Sequence, residues 1–124
     1  MAIEQRASAI AGRGMFTTGP LRCGAVVEVD PGVLNHSCDP TLAWTTDGEA
    51  GVALVAFREV PPGEELTIDY ATGTTDAELL VRCHCETYRC RQLVTGDDWR
   101  IPQVQLRYAG RLAPVVQRAV DSTP

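Results

Sequence analysis

No lysine occurs in the chain; all 11 basic residues are arginine. GC-rich codon usage, as in a bacterium, accounts for that bias. Long apolar runs are missing as well. A membrane-spanning helix needs about 20 consecutive apolar residues, and the sequence offers no such run, so no contact with a membrane is expected. Met1 to Ser8 lacks the basic-then-apolar layout of a secretion signal. A cytoplasmic setting is therefore expected. A basic surplus is absent too, the net charge being −5. Nucleic-acid binders usually carry a basic face. Direct nucleic-acid binding is thus not expected, whereas a basic partner or substrate is. Neither an internal repeat nor a low-complexity tract is visible.

What is present is one domain's worth of chain, 124 residues of which 44% are hydrophobic. That suffices for a modest core. Five cysteines in a cytoplasmic chain argue against a disulfide framework and for metal or reactivity. Cys83, Cys85 and Cys90 form a C-x-C-x₄-C run. Three thiolates need a fourth ligand to close a tetrahedral zinc site. His84 lies between two of them, with its side chain directed the wrong way. His36 is possible. Cys38, in the Asn35-His36-Ser37-Cys38-Asp39-Pro40 turn, is the better match. Cys23 is the leftover. A metal here would pin a polar loop that has too few apolar residues to hold itself.

Along the chain, residues 7–18 read as strand, glycine turn, strand, with Gly12 and Gly14 free to take positive φ or to approach a ligand. Residues 24–29 read as a strand, and residues 41–45 and 52–57 as a hairpin about Asp47-Gly48. Residues 66–70 alternate and read as a strand ending in Tyr70. Residues 77–82 fit one helical turn. Asp97 and Asp98 are candidate N-caps, and Pro102 fits a first helical turn. Leu112, Val115, Val116, Ala119 and Val120 then repeat at helical spacing, which predicts packing against the sheet, with a dimer contact as the rival.

Three of these stretches together resemble the SET-domain methyltransferases, in a short bacterial form. Gly12-Arg13-Gly14 is similar to that family's first glycine motif. Residues 35–40 are similar to its Asn-His-Ser-Cys-x-Pro signature. Gly63-Glu64-Glu65-Leu66-Thr67-Ile68-Asp69-Tyr70 is similar to its Gly-Glu-Glu-Leu-x-x-x-Tyr signature. The cysteine run resembles the post-SET zinc module, whose fourth ligand in the family is the cysteine equivalent to Cys38. The resemblance implies a mainly β fold of small sheets around a pseudoknot, the β-clip of the SET domain, with a post-SET zinc loop and short C-terminal helices. It divides the chain into a minimal SET core (1–76), a zinc-binding segment (77–95) and a helical C-terminal extension (96–124).

The resemblance also implies an enzyme, a methyltransferase that uses S-adenosylmethionine and acts on an amine, most readily a protein lysine. Tyr70 would be catalytic. Gly12, Arg13, Gly14, Asn35 and His36 would bind the cofactor, Trp99 would contribute to a lid over it, and Ile68 would line the substrate channel. Cys38, Cys83, Cys85 and Cys90 would hold zinc. A lysine-modifying enzyme without lysine cannot modify itself, although codon usage remains the preferred account. The rivals are a non-catalytic SET-like module that binds a basic partner, and an enzyme for a small amine or free peptide.

The sequence departs from the family in four places, one of them Ile68, two before Tyr70, where many relatives carry an aromatic. Only Asp30 to Leu34 stand where relatives carry a longer insert that helps bind the substrate peptide. Glu86 and Gln92 stand where glycine is usual. A short insert leaves the acceptor channel open on one side. A homodimer, with the tail closing that wall, is the corresponding expectation.

Overall fold

The structure is a computed structural model that describes residues 3–48 and 51–123. Short strands dominate, because β-branched residues occur in brief runs cut by Gly, Pro and Asp turns. In chain order they are β1 (Ile3–Ala7), β2 (Arg13–Thr17), β3 (Val26–Val27), β4 (Asn35–His36), β5 (Leu42–Gly48), β6 (Gly51–Ala56), β7 (Glu65–Ile68), β8 (Leu80–Arg82) and β9 (Leu93–Thr95), followed by the helices α1 (Pro102–Arg107) and α2 (Pro114–Asp121). They form three small sheets, ordered β1-β2-β7-β4, β3-β6-β5 and β8-β9. Among the described residues only the β4–β7 pairing is parallel; it sets Asn35 beside Thr67 and His36 beside Ile68. Side chains from both larger sheets meet in one core, which includes Leu34, Leu42, Leu54, Leu66 and Ile68.

Several boundaries differ from the sequence expectation. The first strand begins at Ile3, so residues 8–12 form the turn. Of residues 24–29 Val26 and Val27 form the strand, with Gly24 and Ala25 bonded to Ala56 beside it. The hairpin is present, but Gly48 is itself paired, with Gly51. The strand expected to end in Tyr70 stops at Ile68. Tyr70 instead opens a 3-10 turn over Tyr70–Thr72, where the Asp69 carboxylate accepts from Ala71 N. Residues 80–82 are a strand rather than helical, because Leu93–Thr95 supplies a pairing partner and local propensity yields to it.

The tail follows the core-packing expectation. Trp99, Val104, Tyr108, Leu112 and Val116 are buried together, with Phe57 packed against them. Leu112 and Val116 are thus taken up by the chain's own core, while Val115 remains exposed. Backbone bonds from Trp44 N to Arg111 O and from Ala113 N to Thr72 O fasten the tail to the sheet region. Asp97 and Asp98 do not cap α1. Its N-cap is Ile101, followed by Pro102. Asp98 is held elsewhere: it accepts from Arg91 Nε at 2.9 Å and from Thr95 Oγ1 at 3.0 Å.

Candidate active site

Two segments meet at the centre. Residues 35–41 run beside residues 65–70, and the ladder between β4 and β7 is extended by Ser37 N donating to Ile68 O at 3.2 Å. Further along, Thr41 and Thr67 exchange hydroxyl and backbone bonds, Thr67 N donating to Thr41 Oγ1 at 2.9 Å and Thr41 N to Thr67 Oγ1 at 3.2 Å. Thr-Thr pairing suits this spot, since both side chains are buried and need partners there.

Tyr70 and His36 are fixed across that junction. Tyr70 N–H donates to His36 Nδ1 at 3.0 Å, and the Tyr70 hydroxyl donates to Leu34 O at 2.7 Å. Because Nδ1 accepts, the neutral ring carries its proton on Nε2, which lies 3.4 Å from Cys38 Sγ. Burial lowers the His36 pKa, with Asp69 opposing it only in part. The imidazole is therefore neutral. Burial also raises the Tyr70 pKa, so its side chain is a phenol at neutral pH.

Tyr70 borders two cavities. The larger, of about 580 Å³, is lined by Ala9, Ile10, Ala11, Asn35, His36, Glu65 and the loop from Val81 to Thr87, among others. The smaller, of about 340 Å³, has Ile68, Trp44, Leu79, Gly73 and Pro31 in its wall. Ile68 is thus part of the wall of the smaller cavity. Gly12, Arg13 and Gly14 do not line the larger cavity; the three residues before them do. The triplet shapes the wall indirectly. Gly12 takes φ +47°, and a Cβ on Gly14 would fall 2.2 Å from Glu65 Oε2. That carboxylate is not free to retreat. Ser8 Oγ donates to Glu65 Oε1 at 2.7 Å, and Asn35 Nδ2 donates to Glu65 Oε2 at 2.8 Å and to Ala11 O at 3.0 Å. Trp99 is also not part of the cavity. It is buried in the tail core, with the Arg100 guanidinium 4.3 Å from its ring centroid.

The four cysteines converge. The sulfur atoms of Cys38, Cys83, Cys85 and Cys90 all lie within 4.8 Å of one another. Four thiolates at that spacing fit a tetrahedral metal such as zinc, whose bonds to sulfur are about 2.3 Å long. Cys23 stands apart and exposed, and His84 lines the larger cavity instead. The thiols differ in their surroundings. Burial pushes Cys38 up to about 12, against the Arg91 N–H that donates to its sulfur. Burial acts on Cys85 in the same sense, but bonds from the Thr87 hydroxyl and backbone bring it down to about 6. A small apolar cluster of Cys38, Ala71, Cys83 and Val94, with Leu79 and Val81 packed against it, lies beneath.

The two residues standing where relatives carry glycine, Glu86 (φ 60°) and Gln92 (φ 64°), are the non-glycine residues with positive φ among those described. That conformation costs an L-residue about 1–2 kcal/mol. Gln92 is exposed. Gln92→Gly is therefore expected to stabilise the protein by about 0.5–1 kcal/mol after the extra entropy of an unfolded glycine is counted. A thermal midpoint that does not rise would show the side chain to be compensated locally.

Sequence reasoning missed the group that binds these parts together. Asp69, fully buried, receives both terminal nitrogens of Arg91 at 2.8 Å and the Tyr108 hydroxyl at 3.0 Å. Asp69 precedes Tyr70, Arg91 follows Cys90, and Tyr108 ends α1. A buried acid beside a motif tyrosine signals the need for a cation, but among 11 arginines the sequence does not say which.

A SET-domain family model matches residues 28–71. Histone-lysine N-methyltransferase Set2 of Drosophila melanogaster is 39% identical over 69 residues, covering 52% of this chain and 3% of that protein. Histone-lysine N-methyltransferase SETD2 of Homo sapiens is 35% identical over 80 residues, covering 62% of this chain and 3% of the relative. The H3 lysine-9-specific KMT1 of Fusarium mangiferae is 31% identical over 96 residues, covering 65% and 25% respectively. This chain therefore spans a small part of the length of these relatives. Among solved structures, KRYPTONITE in complex with mCHG DNA and SAH superposes with a TM-score of 0.57 at 21% identity, over 73% of this chain and 28% of that one. Residues 28–71 thus match the SET domain, and with its small sheets and its junction of residues 35–41 with 65–70 the chain shares the fold of the SET-domain methyltransferases it resembles.

Proposed function

We propose that this protein is an S-adenosylmethionine-dependent N-methyltransferase acting on a lysine side chain of a basic protein. The observation that carries the reading is the position of Tyr70, bordering both the larger and the smaller cavity. At about 580 Å³ the larger cavity is of a size for a cofactor. Asn35, His36 and the Ala9–Ala11 stretch would hold it, and Glu65 would keep the Asn35 amide oriented. When bound, the cofactor supplies an electrophilic methyl group on sulfur.

The chain's own residues prepare the acceptor. A free lysine has a pKa of about 10.4, so its amine must lose a proton before it can react. The walls formed by Ile68, Trp44 and Leu79 disfavour the charged form by desolvation. Because the Tyr70 hydroxyl gives its proton to Leu34 O, its oxygen lone pairs remain to accept from the amine and orient it. The four cysteines would hold zinc and so fix the loop that forms one wall of the larger cavity. The acidic balance of the chain favours a basic substrate. A homodimer closing the side left open at Asp30–Leu34 belongs to the same proposal, with light scattering at micromolar concentration as its test.

Incubation with isotope-labelled cofactor and a proteome lysate is expected to label protein lysines, read by mass spectrometry. Cofactor binding without any label would leave a binding module, and label on small amines alone would favour the small-substrate reading. The metal part is tested by elemental analysis under reducing, chelator-free conditions. Cys38→Ser is expected to lower zinc content and loosen residues 80–99, while Cys23→Ser should do neither. Wild-type protein without zinc would remove the metal from the proposal.

A further inference from the structure

We propose that Arg107 and Tyr108, adjacent residues at the C-terminal end of α1, are positioning residues for the candidate active site. The inference rests on the methyltransferase reading above for its catalytic consequence. The two residues lie outside the part of the chain that the family model matches, residues 28–71.

Arg107 holds the first of the two meeting segments. Its guanidinium donates to Cys38 O at 2.9 Å and to Asp39 Oδ1 at 2.7 Å. A fork gripping a carbonyl and the next residue's carboxylate fixes both position and rotation, which a lysine ammonium does not do. Cys38 carries one of the four clustered sulfurs, and Asp39 lines the larger cavity. The fork is itself supported, its central carbon lying 5.7 Å from the Phe57 ring centroid.

Tyr108 holds the second segment. Its ring is 1% exposed and stacks on Phe57 with centroids 5.3 Å apart. Its hydroxyl donates to Asp69 Oδ2 at 3.0 Å, while Asp69 Oδ1 accepts from Ala71 N at 3.0 Å. The carboxylate that Tyr108 grips therefore anchors the turn on which Tyr70 sits. One helix end thus reaches both segments, residues 38–39 through Arg107 and residues 69–71 through Tyr108. The β4–β7 ladder and its extension from Ser37 N to Ile68 O stop short of residues 38–39 and 69–71, the stretches that Arg107 and Tyr108 brace. Their relative position sets where the Cys38 sulfur, the larger cavity and the Tyr70 hydroxyl stand with respect to one another.

The test compares full-length wild type, Arg107→Gln, Tyr108→Phe and, as control, Leu106→Ala, an exposed residue of the same helix. Calorimetry with S-adenosylmethionine, the thiolate-to-metal absorption of Co²⁺-loaded protein, kcat on a confirmed substrate and thermal unfolding are measured for each. Arg107→Gln is expected to weaken cofactor binding by about 10–100-fold and to shift the Co²⁺ band, as groups that orient ligands do. Tyr108→Phe is expected to leave cofactor affinity near wild type and to lower kcat by about tenfold. Leu106→Ala should move none of these. If Arg107→Gln does not fold, Arg107→Lys, which keeps the charge but not the planar fork, takes its place with the same expectation. Variants that lose only thermal stability, with band, affinity and kcat unchanged, overturn the proposal and leave the pair as plain packing. A wild type that neither binds the cofactor nor transfers a methyl group sinks the methyltransferase reading instead; the Co²⁺ band then still decides for or against Arg107.

Discussion

Tyr70→Phe is expected to bind S-adenosylmethionine as tightly as wild type and to turn over about 10²–10⁴-fold more slowly, the usual worth of one positioned proton-handling group. The substitution removes one oxygen atom. The ring keeps its edge contact with His36, at 5.2 Å between centroids, and the backbone bond from Tyr70 N to His36 Nδ1 does not involve the side chain. Packing around the turn should therefore survive. What disappears is the bond to Leu34 O and, with it, the acceptor for the incoming amine. Leu34 O also loses a partner, which costs about 1–3 kcal/mol where no water can replace it. Rates must accordingly be compared at a temperature where both proteins are folded. Calorimetry and single-turnover rates on one confirmed substrate provide the measurement. Equal turnover would take Tyr70 out of the mechanism, and lost cofactor affinity would mean that its hydroxyl organises the cavity rather than the reaction.

The site was legible in the sequence to the extent that it is written in short motifs. Residues 35–40, residues 63–70 and the cysteine run each carry a local pattern, and the fold brings them together. The four sulfurs converge because Cys38 lies at the end of one meeting segment and Arg91 N, just after Cys90, reaches its sulfur at 3.3 Å. Less legible were features that depend on what a residue meets in space. Gly14 is small because of Glu65, 51 residues further along the chain, and no local signal names that neighbour. Residues 80–82 have a helix-compatible composition, yet become a strand because Leu93–Thr95 lies alongside. Asp97 and Asp98 look like caps, but Asp98 is drawn to Arg91. Trp99 stands in the segment expected to close over the cofactor and is instead covered by the tail's own apolar residues. Close approach, strand pairing, charge pairing and burial decided these, and none of them is visible in a linear pattern.

Arg91→Leu is expected to destabilise the protein by about 3–5 kcal/mol, the usual result of leaving a buried charge without its partner. That is a large share of a typical domain stability of about 5–15 kcal/mol. The Arg91 side chain is 17% exposed and pairs with Asp69 at 0% and Asp98 at 8%. Solvent therefore does little to screen the acids once the guanidinium is gone. Desolvation by burial opposes the charge on Arg91, yet bonds and attraction from Asp69 and Asp98 raise its pKa on balance, so it stays a cation throughout. Leucine fills part of the space and keeps the backbone N–H that donates to Cys38 Sγ, so the contact to the metal cluster is not what the substitution removes. The second half of the experiment is Asp69→Asn. Alone it should destabilise, because Arg91 and Tyr108 lose a charged acceptor. Combined with Arg91→Leu it should restore part of the loss, since the orphaned charge is then absent. Urea unfolding of the two single variants and the double variant, with metal content held equal, gives the cycle. If the double variant is as unstable as the sum of the singles, the Arg91–Asp69 pair contributes no coupling, and the link between the cysteine loop and the turn carrying Tyr70 must be sought in the packing of Ala71 and Val94 beneath it.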